Sequence, residues 1–268
     1  FFYKTFAFTN NREIFSFIFF LISFFLIGIY DDKYKVSFSI RIVLGFFIVL
    51  TIILINQNLK IDNLLFSFYN NKIFMKSFTI LFTIFCILAF IHATNMFDGI
   101  NSQLIIYYII LNTFLFYISN LNNIYLFFYP VLFSLFFLNF NGKIFLGDGG
   151  SYSFGAMYSF FLIYEYTTFQ NIIYADEILI LTLIPGLELI RLSLYRIYKG
   201  RNIFSGDLEH LHHLLAKKFN QSITNLIVSL MIVMPILFMM TLKINLHFIL
   251  SITTILYFLV IYQLKITK

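Results

Sequence analysis

The chain alternates between long apolar runs and short polar connections. An apolar run of about 17–25 residues is long enough to cross the hydrocarbon core of a bilayer as an α-helix. The sequence contains nine runs of roughly this length: Ile14–Tyr30, Ser39–Ile55, Ser77–Ile91, Ser102–Ser119, Ile124–Phe140, Tyr152–Phe169, Glu177–Leu194, Ile223–Leu242 and Leu246–Leu264. The pattern therefore predicts an all-α polytopic membrane protein with about nine transmembrane helices.

The composition agrees with this prediction and excludes several function classes. Of the 268 residues, 60% are hydrophobic and 11% are charged, and the mean hydropathy is +0.89. Soluble domains carry about 25% charged residues, so the chain is predicted to lie in lipid. The net charge of +6 is explained by basic loops beside a membrane and does not indicate a nucleic-acid partner. The lone Cys86 excludes a disulfide framework within the chain.

The connections between the runs indicate one domain with a preferred orientation. Two connections are longer than the others: Asn56–Lys76, which we predict to be a surface hairpin or interfacial segment, and Tyr195–Ser222. No internal repeat or flexible linker divides the chain, so residues 1–268 are predicted to form a single integral-membrane domain. Lys and Arg residues are about twice as frequent on the side of the Asp31/Asp32 loop, which predicts that this side is cytoplasmic.

Four polar islands interrupt the apolar pattern, namely Tyr30–Lys35, His92–Gln103, Asn141–Ser151 and Arg191–Lys218. Under the predicted topology all four lie on the cytoplasmic side, and the opposite loops carry no comparable cluster. A charged side chain at the centre of a bilayer costs about 2.5–3.5 kcal/mol on insertion scales. Acidic residues at the ends of spans are therefore candidates for a functional site at a membrane edge.

The first two islands carry acidic and amide side chains in close spacing. Asp31 and Asp32 are adjacent carboxylates that repel each other unless a cation compensates them. They are compatible with a polar helix end, with a metal site or with a proton-transfer site. His92, Asn95 and Asp98 are spaced three residues apart, so on a helix they share one face. That face suits a metal-phosphate site, although Asp98 and the glycine after it are also typical of a turn.

The third and fourth islands add glycines and histidines. A helix is predicted to begin near the end of Gly147–Ser151, where free backbone N–H groups favour a phosphate that a cation on Asp148 can bridge. A glycine-rich turn capped by aspartate is the alternative. His210, His212 and His213 could indicate zinc, but zinc sites usually space histidines by three or four residues or add cysteines. The nearby acids and amides favour oxygen ligation, and hence Mg²⁺ or Mn²⁺.

Together the islands resemble the motifs of the polyprenyl-phosphate N-acetylhexosamine-1-phosphate transferase family, the bacterial group that includes the MraY, WecA and TagO proteins. The matching segments are Gly28-Ile-Tyr-Asp31-Asp32; His92 to Asn101; Phe145 to Ser151; and Arg201, Phe204, Asp207, His210, Leu211, His212 and His213. The final His-Leu-His-His is most similar to the WecA-like branch. Four motifs in the family's order extend over nearly the whole chain.

Some positions depart from the family's pattern. His92 stands in place of the usual first Asn, Ser102-Gln103 in place of Gly-Leu, and Glu188 where Asp is common. Family members have about ten or eleven spans, so the resemblance implies that two N-terminal helices and a cytoplasmic loop are missing before Phe1. We therefore expect the chain to be N-terminally truncated.

The resemblance implies a Mg²⁺-dependent phosphotransferase, with Mn²⁺ as the alternative ion, at the cytoplasmic face of the bacterial inner membrane. The reaction would transfer N-acetylhexosamine-1-phosphate, by default GlcNAc-1-phosphate, from a UDP-sugar to undecaprenyl phosphate, with release of UMP. Such a step initiates a cell-surface polysaccharide such as the O-antigen of lipopolysaccharide. The implied partners are the UDP-N-acetylhexosamine, undecaprenyl phosphate and membrane lipid, while a homodimer is left open.

The family's site residues carry over position by position. The resemblance implies metal ligands at Asn95 and Asp148. It implies catalytic carboxylates at Asp31, Asp32, Asp98 and Asp148, with Asp31 as the candidate base or orienting group. It implies substrate-binding residues at Asn101, Arg201, His210, His212 and His213, the last four on the pyrophosphate or sugar side.

Three other classes of protein are alternatives. A secondary transporter would place its acids in mid-span, in helices broken by Gly or Pro, whereas here the acids lie at the predicted cytoplasmic ends. A CDP-alcohol phosphotransferase needs Asp-Gly-x-x-Ala-Arg, but Asp98-Gly99 is followed by Ile-Asn-Ser-Gln. A structural protein or inactive paralogue is the third class, against which the intact Asp31, Asp32 and Asp148 argue.

Overall fold

The computed structural model describes residues 11–119, 122–169, 173–203, 208–241 and 245–266. They form ten α-helices: α1 (Asn11–Tyr34), α2 (Phe38–Ile55), α3 (Thr79–Phe97), α4 (Gln103–Ile118), α5 (Asn122–Phe140), α6 (Gly147–Thr168), α7 (Ala175–Tyr198), α8 (Leu211–Ala216), α9 (Gln221–Thr241) and α10 (Leu246–Ile266). Two strands, β1 (Asn63–Phe66) and β2 (Tyr69–Phe74), and two short 3₁₀ turns, Gln57–Leu59 and Lys76–Phe78, lie between α2 and α3.

The all-α polytopic membrane fold is confirmed, and each predicted apolar run overlaps one long helix. In the described part of the chain, seven helices are long and apolar enough to cross a membrane, so the count of nine spans is not confirmed. The two long helices outside this set are α4, with 16 residues, and α6. Both bury most of their side chains within the bundle. A helix that other helices shield from lipid does not need a lipid-like composition.

The long connection Asn56–Lys76 contains the hairpin that the sequence predicts at this position. Strand β1 pairs antiparallel with β2, and Asn63 lies opposite Phe74. The hairpin carries exposed apolar side chains such as Phe68 and Phe74, which is typical of a segment at a membrane interface.

Helix α6 is the centre of the bundle and packs against α1, α3 and α4. Helix α1 buries a stripe that contains Phe20, Phe24 and Gly28, which are four residues apart and so share one face. Gly28 lets the two backbones approach closely, because a Cβ atom built there would lie 2.3 Å from the carbonyl oxygen of Asp148. Small residues allow this kind of close packing between membrane helices. The contact brings the end of α1 against the start of α6.

The opposite end of α6 is held by three consecutive side chains, each bonded to a different element. The hydroxyl of Tyr164 donates to Glu13 of α1 (3.1 Å), and Tyr166 donates to the carbonyl of Asn63 in β1 (3.0 Å). Between them, Glu165 accepts hydrogen bonds from Tyr125 (2.9 Å) and from the hydroxyl of Ser119. Both bonds to Glu165 go to its Oε1 atom, and the three side chains together fix the axis of α6 about 25 Å from Asp148.

Candidate functional site

The first wall of the site is an ion pair between the end of α1 and the start of α2. Asp31 is buried, and its carboxylate accepts a hydrogen bond from Arg41. The same guanidinium donates to the hydroxyl of Tyr152 on α6 (3.1 Å). The three-residue connection between the helices contains Lys35 with φ of +48°, which makes the sharp turn that brings Arg41 back to Asp31. Arg41 thus joins α1, α2 and α6 at one point.

Asp32 has a different position from its neighbour and bonds to the first turn of α6. Its carboxylate oxygens accept from the backbone N–H groups of Asp148 (2.9 Å) and Gly149 (3.1 Å). The first N–H groups of a helix have no partner within the helix, and a negative charge is favoured there. Glycine is favoured at position 147 for two reasons. A Cβ atom there would lie 2.9 Å from the carboxylate of Asp32, and the backbone has a positive φ of +65°.

Asn95 and Asp98 connect the end of α3 to the same turn. The amide of Asn95 donates to the carboxylate of Asp148 and to the hydroxyl of Ser151, each over 2.7 Å. Asp98 follows the last residue of α3, and burial together with the negative charges of Asp148 and Asp32 raises the pKa of its carboxyl group to about 7. The site thus concentrates negative charge in a partly desolvated position, which a cation would relieve.

The three histidines lie together against the turn after α3. Their ring centroids are 4.4–5.8 Å apart. His212 is fully buried, and a Cβ atom at Gly99 would lie only 1.7 Å from its Nε2 atom, so this approach requires glycine. Burial, then the neighbouring histidines and Arg191, lower the pKa of His212 well below its usual range. His212 is therefore a neutral imidazole at pH 7.

A polar cavity of about 260 Å³ lies between these groups. The three histidines line it together with six other polar side chains: Arg41, His92, Asn95, Asp98, Ser193 and Arg196. Asp31 and Asp148 lie next to this wall through their bonds to Arg41 and Asn95. The second and fourth islands thus contribute to the lining of the polar cavity, and the first and third islands adjoin it through Asp31 and Asp148.

Two of the predicted substrate-binding residues lie apart from the cavity lining. Arg201 is exposed on the connection after α7. Asn101 is held by its backbone carbonyl, which accepts from Asn225 (2.9 Å) and Gln221 (3.3 Å) of α9. Phe204 and Asp207 of the fourth motif lie outside the described residues.

The structure adds residues that sequence reasoning did not assign to the site. Arg41 was visible only as a single charge in the apolar run of α2, and a lone charge in a span is itself a functional signal. His92, which the sequence already places on the same helix face as Asn95 and Asp98, packs between the rings of Phe38 and Tyr152, and its buried Nε2 atom has no hydrogen-bond partner. Arg196 is buried on α7 and donates to the carbonyl of Ile203 (2.8 Å).

The described side chains include no group of three or more His, Cys, Asp or Glu that could enclose a metal ion. Asp148 and Asn95 nevertheless offer one carboxylate and one amide oxygen at adjoining positions. Mg²⁺ is usually bound in proteins by one or two carboxylates together with water and substrate phosphates. The oxygen donors present therefore fit Mg²⁺ better than zinc.

A second, apolar cavity of about 340 Å³ adjoins the polar one. It is lined by α3, α6, α7 and the hairpin, and Leu189 of α7 lines both cavities. Pro185 has no N–H group, so the carbonyl of Leu181 lacks its usual partner within the helix. The hydroxyl of Tyr107 on α4 donates to that carbonyl instead (3.2 Å). The next residue, Gly186, has nothing within 4 Å of an added Cβ atom, so α7 is open to the apolar cavity there.

Comparison with known families agrees with this geometry. The family model of glycosyl transferase family 4 matches residues 14–166, which include the Asp31/Asp32 pair, Asn95, Asp98 and Asp148. The histidine cluster lies beyond the matched residues. No curated protein matches the chain. The matched segment covers more than half of the chain, which therefore belongs to glycosyl transferase family 4, the family of membrane-embedded polyprenyl-phosphate hexosamine-1-phosphate transferases.

Proposed function

We propose that the protein transfers N-acetylhexosamine-1-phosphate from a UDP-sugar to undecaprenyl phosphate and releases UMP. The proposal rests on one observation: a polar cavity and an apolar cavity lie next to each other, and Leu189 lines both. An amphiphile with a phosphate head and a long hydrocarbon tail fits this pair of cavities, because its tail avoids water while its head meets Arg41 and Arg196. GlcNAc-1-phosphate is the default sugar for the WecA-like resemblance.

The reaction joins an oxygen of the lipid phosphate to the β-phosphorus of the UDP-sugar. The bond from that phosphorus to the bridging oxygen breaks, and UMP leaves with that oxygen. Phosphoryl transfer of this kind depends mostly on positioning and on stabilisation of negative charge. Asp148 and Asn95 would hold Mg²⁺, which when bound neutralises the pyrophosphate and stabilises the leaving UMP.

The remaining residues of the site position the two substrates. Arg41 binds the lipid phosphate, and Asp31 orients the guanidinium through their ion pair, so in this proposal Asp31 acts as an orienting group more than as a base. Asp32 holds the first turn of α6 and thereby the carboxylate of Asp148. His212 contacts the pyrophosphate and sugar as a neutral donor, together with His210 and His213.

We place this chemistry at the cytoplasmic face of a bacterial inner membrane, as the initiating step of a cell-surface polysaccharide. The excess of Lys and Arg on the side of the Asp31/Asp32 loop supports this orientation. Whether the active form is a homodimer is decided by mass measurement of the purified protein in detergent.

The first test is UMP release in membranes that contain the protein, with undecaprenyl phosphate, Mg²⁺ and a panel of UDP-sugars. We expect one UDP-N-acetylhexosamine to support turnover. Asp148→Asn should abolish UMP release at saturating Mg²⁺ while the protein keeps its thermal transition. Near-normal turnover of that variant would remove Asp148 from the metal role.

The second test places a larger side chain at Gly186, so that it occupies part of the apolar cavity. No atom lies within 4 Å of an added Cβ atom at Gly186, so leucine would extend into the cavity that this position lines. Replacing a helical glycine also stabilises a helix by up to about 1 kcal/mol. Gly186→Leu should raise KM for the lipid at least tenfold and leave KM for the UDP-sugar unchanged. Leu194→Phe, at an exposed position of the same helix, is the control and should change neither. Equal effects on both substrates would contradict the assignment of the apolar cavity to the lipid.

A further inference from the structure

The segment that carries the histidines is attached to α7 by one buried carboxylate. Glu188 is 1% exposed, and one of its oxygens accepts from the backbone N–H of Leu211, the first residue of α8. Its other oxygen accepts from Arg191 one helical turn later (2.5 Å). Both carboxylate oxygens are therefore used, one within α7 and one on the histidine segment.

Arg191 makes a second attachment to the same segment. Its Nη2 atom donates to the backbone carbonyl of Glu209 (2.7 Å), and its Nε atom donates to the hydroxyl of Tyr257 on α10 (2.8 Å). The two backbone contacts, at residues 209 and 211, lie on either side of His210. The backbone is thus fixed at the point from which His210, His212 and His213 project.

Stability alone is a weak explanation for this arrangement. A buried ion pair often contributes little net stability, because desolvation of the two charges offsets their attraction. An apolar pair would fill the same space between α7 and α10. What an apolar pair cannot do is hold one backbone N–H and one backbone carbonyl in fixed positions, since both need a polar partner.

We propose that Glu188, Arg191 and Tyr257 form a positioning clamp that holds the histidine cluster against the Asp98-Gly99 turn. The proposal rests on the proposed transferase function for its activity readout. It makes α10 part of the working site, although α10 contributes no lining to the polar cavity. It also assigns a role to Glu188, which lies outside the four matching segments and stands where Asp is common in the family.

The test is a double-mutant cycle between the clamp and a histidine. Glu188→Gln keeps the size of the side chain, but its amide has a single oxygen and can accept from only one of the two donors. We expect UMP release to fall at least tenfold, with KM for the UDP-sugar changed less than threefold. In a His212→Ala background the same substitution should lower the rate by less than a further twofold, because the clamp acts through the histidines.

Glu165→Gln is the matched control. Glu165 is also a fully buried carboxylate that accepts two side-chain hydrogen bonds, but it lies at the opposite end of α6. Both bonds go to its Oε1 atom, which glutamine can keep, so the substitution should leave UMP release within twofold of the wild type. Tyr257→Phe, which removes a single hydrogen bond to Arg191, provides a milder clamp variant if Glu188→Gln does not fold, and it should show the same non-additivity with His212→Ala.

A readout that does not depend on activity separates the clamp from the proposed function. Hydrogen–deuterium exchange of the peptide over residues 208–216 should be at least tenfold faster in Glu188→Gln than in the wild type and unchanged in Glu165→Gln. If the wild type releases no UMP, this exchange result alone decides the clamp. Unchanged exchange in 208–216, or full additivity of Glu188→Gln with His212→Ala, would overturn it.

Discussion

The substitution Gly28→Ala tests whether the contact between α1 and α6 sets the geometry of the site. A Cβ atom there would lie 2.3 Å from the carbonyl oxygen of Asp148 and 2.5 Å from the Cα of Gly149. Ordinary van der Waals contact begins at 3.4 Å, so the helices must separate by about 1 Å at this level. Both neighbours are backbone atoms, which cannot rotate away as a side-chain tip can.

The expected effect is large on the rate and moderate on stability. Alanine gains about 0.5–1 kcal/mol of helix propensity over glycine, while overpacking a core costs about 1–3 kcal/mol. The net loss of stability is therefore about 0–2.5 kcal/mol, small enough for the protein to fold. A displacement of about 1 Å between reacting groups can reduce a rate about 100-fold. UMP release should fall by about that factor, because Asp31 and Asp32 move away from Asp148.

The assay is UMP release together with the thermal midpoint in detergent. Gly45→Ala is the matched control, since Gly45 is also buried in a helix. Its added Cβ atom would be too close only to the tip of Leu88, at 2.8 Å, and would meet Phe24 at an ordinary 3.5 Å. A flexible side chain can move, so this variant should keep its activity. If Gly28→Ala retains wild-type turnover, the close approach of α1 to α6 does not position the carboxylates.

Three further predictions use the same assays. Asp32→Ala removes a helix cap and should cost about 0.5–2 kcal/mol of stability. Asp32→Asn keeps one acceptor oxygen and should retain more activity than Asp32→Ala. If both variants are equally inactive, the negative charge of Asp32 matters rather than its role as an acceptor. Gly99→Ala places a Cβ atom 1.7 Å from His212 Nε2, and should reduce UMP release at least tenfold without loss of folding. Because the pKa of His212 is lowered in the folded state, the unfolded chain binds more protons than the folded chain below pH 6.5. The thermal midpoint should therefore fall between pH 7 and pH 5, and it should fall less in the His212→Gln variant.

The membrane fold was predictable because lipid imposes a length and a composition on every helix that faces it. The hairpin was predictable in place, since its polar and apolar residues are too mixed for a span. The number of spans was less predictable: α6 carries Glu165, glycines and serines, which protein neighbours tolerate and lipid does not. Burial by other helices is a tertiary property, and hydropathy along the chain does not report it.

For the site, spacing predicted that the islands converge but not which atoms pair. Asp31 and Asp32 are adjacent in sequence, and one bonds Arg41 while the other caps α6. This difference follows from the close contact of α1 with α6, which sequence spacing does not encode. The role of Glu188 could not be predicted from its place in a span. Its partner Leu211 lies 23 residues away, and Tyr257, which it reaches through Arg191, lies 69 residues away.

Helix α7 links the two cavities, and this explains why the part of the chain beyond the family match belongs to the site. Gly186 and Leu189 line the apolar cavity, Leu189 and Ser193 line the polar one, and Glu188 lies between them with its bond to the histidine segment. A helix rises 1.5 Å per residue, so about 10 Å of rigid backbone separates Gly186 from Ser193. In the proposed function, that rigid length sets the distance between the phosphate of the lipid and the cavity that holds its tail. A change that tilts α7 should therefore impair lipid binding and histidine positioning together, whereas release of the clamp impairs only the histidines.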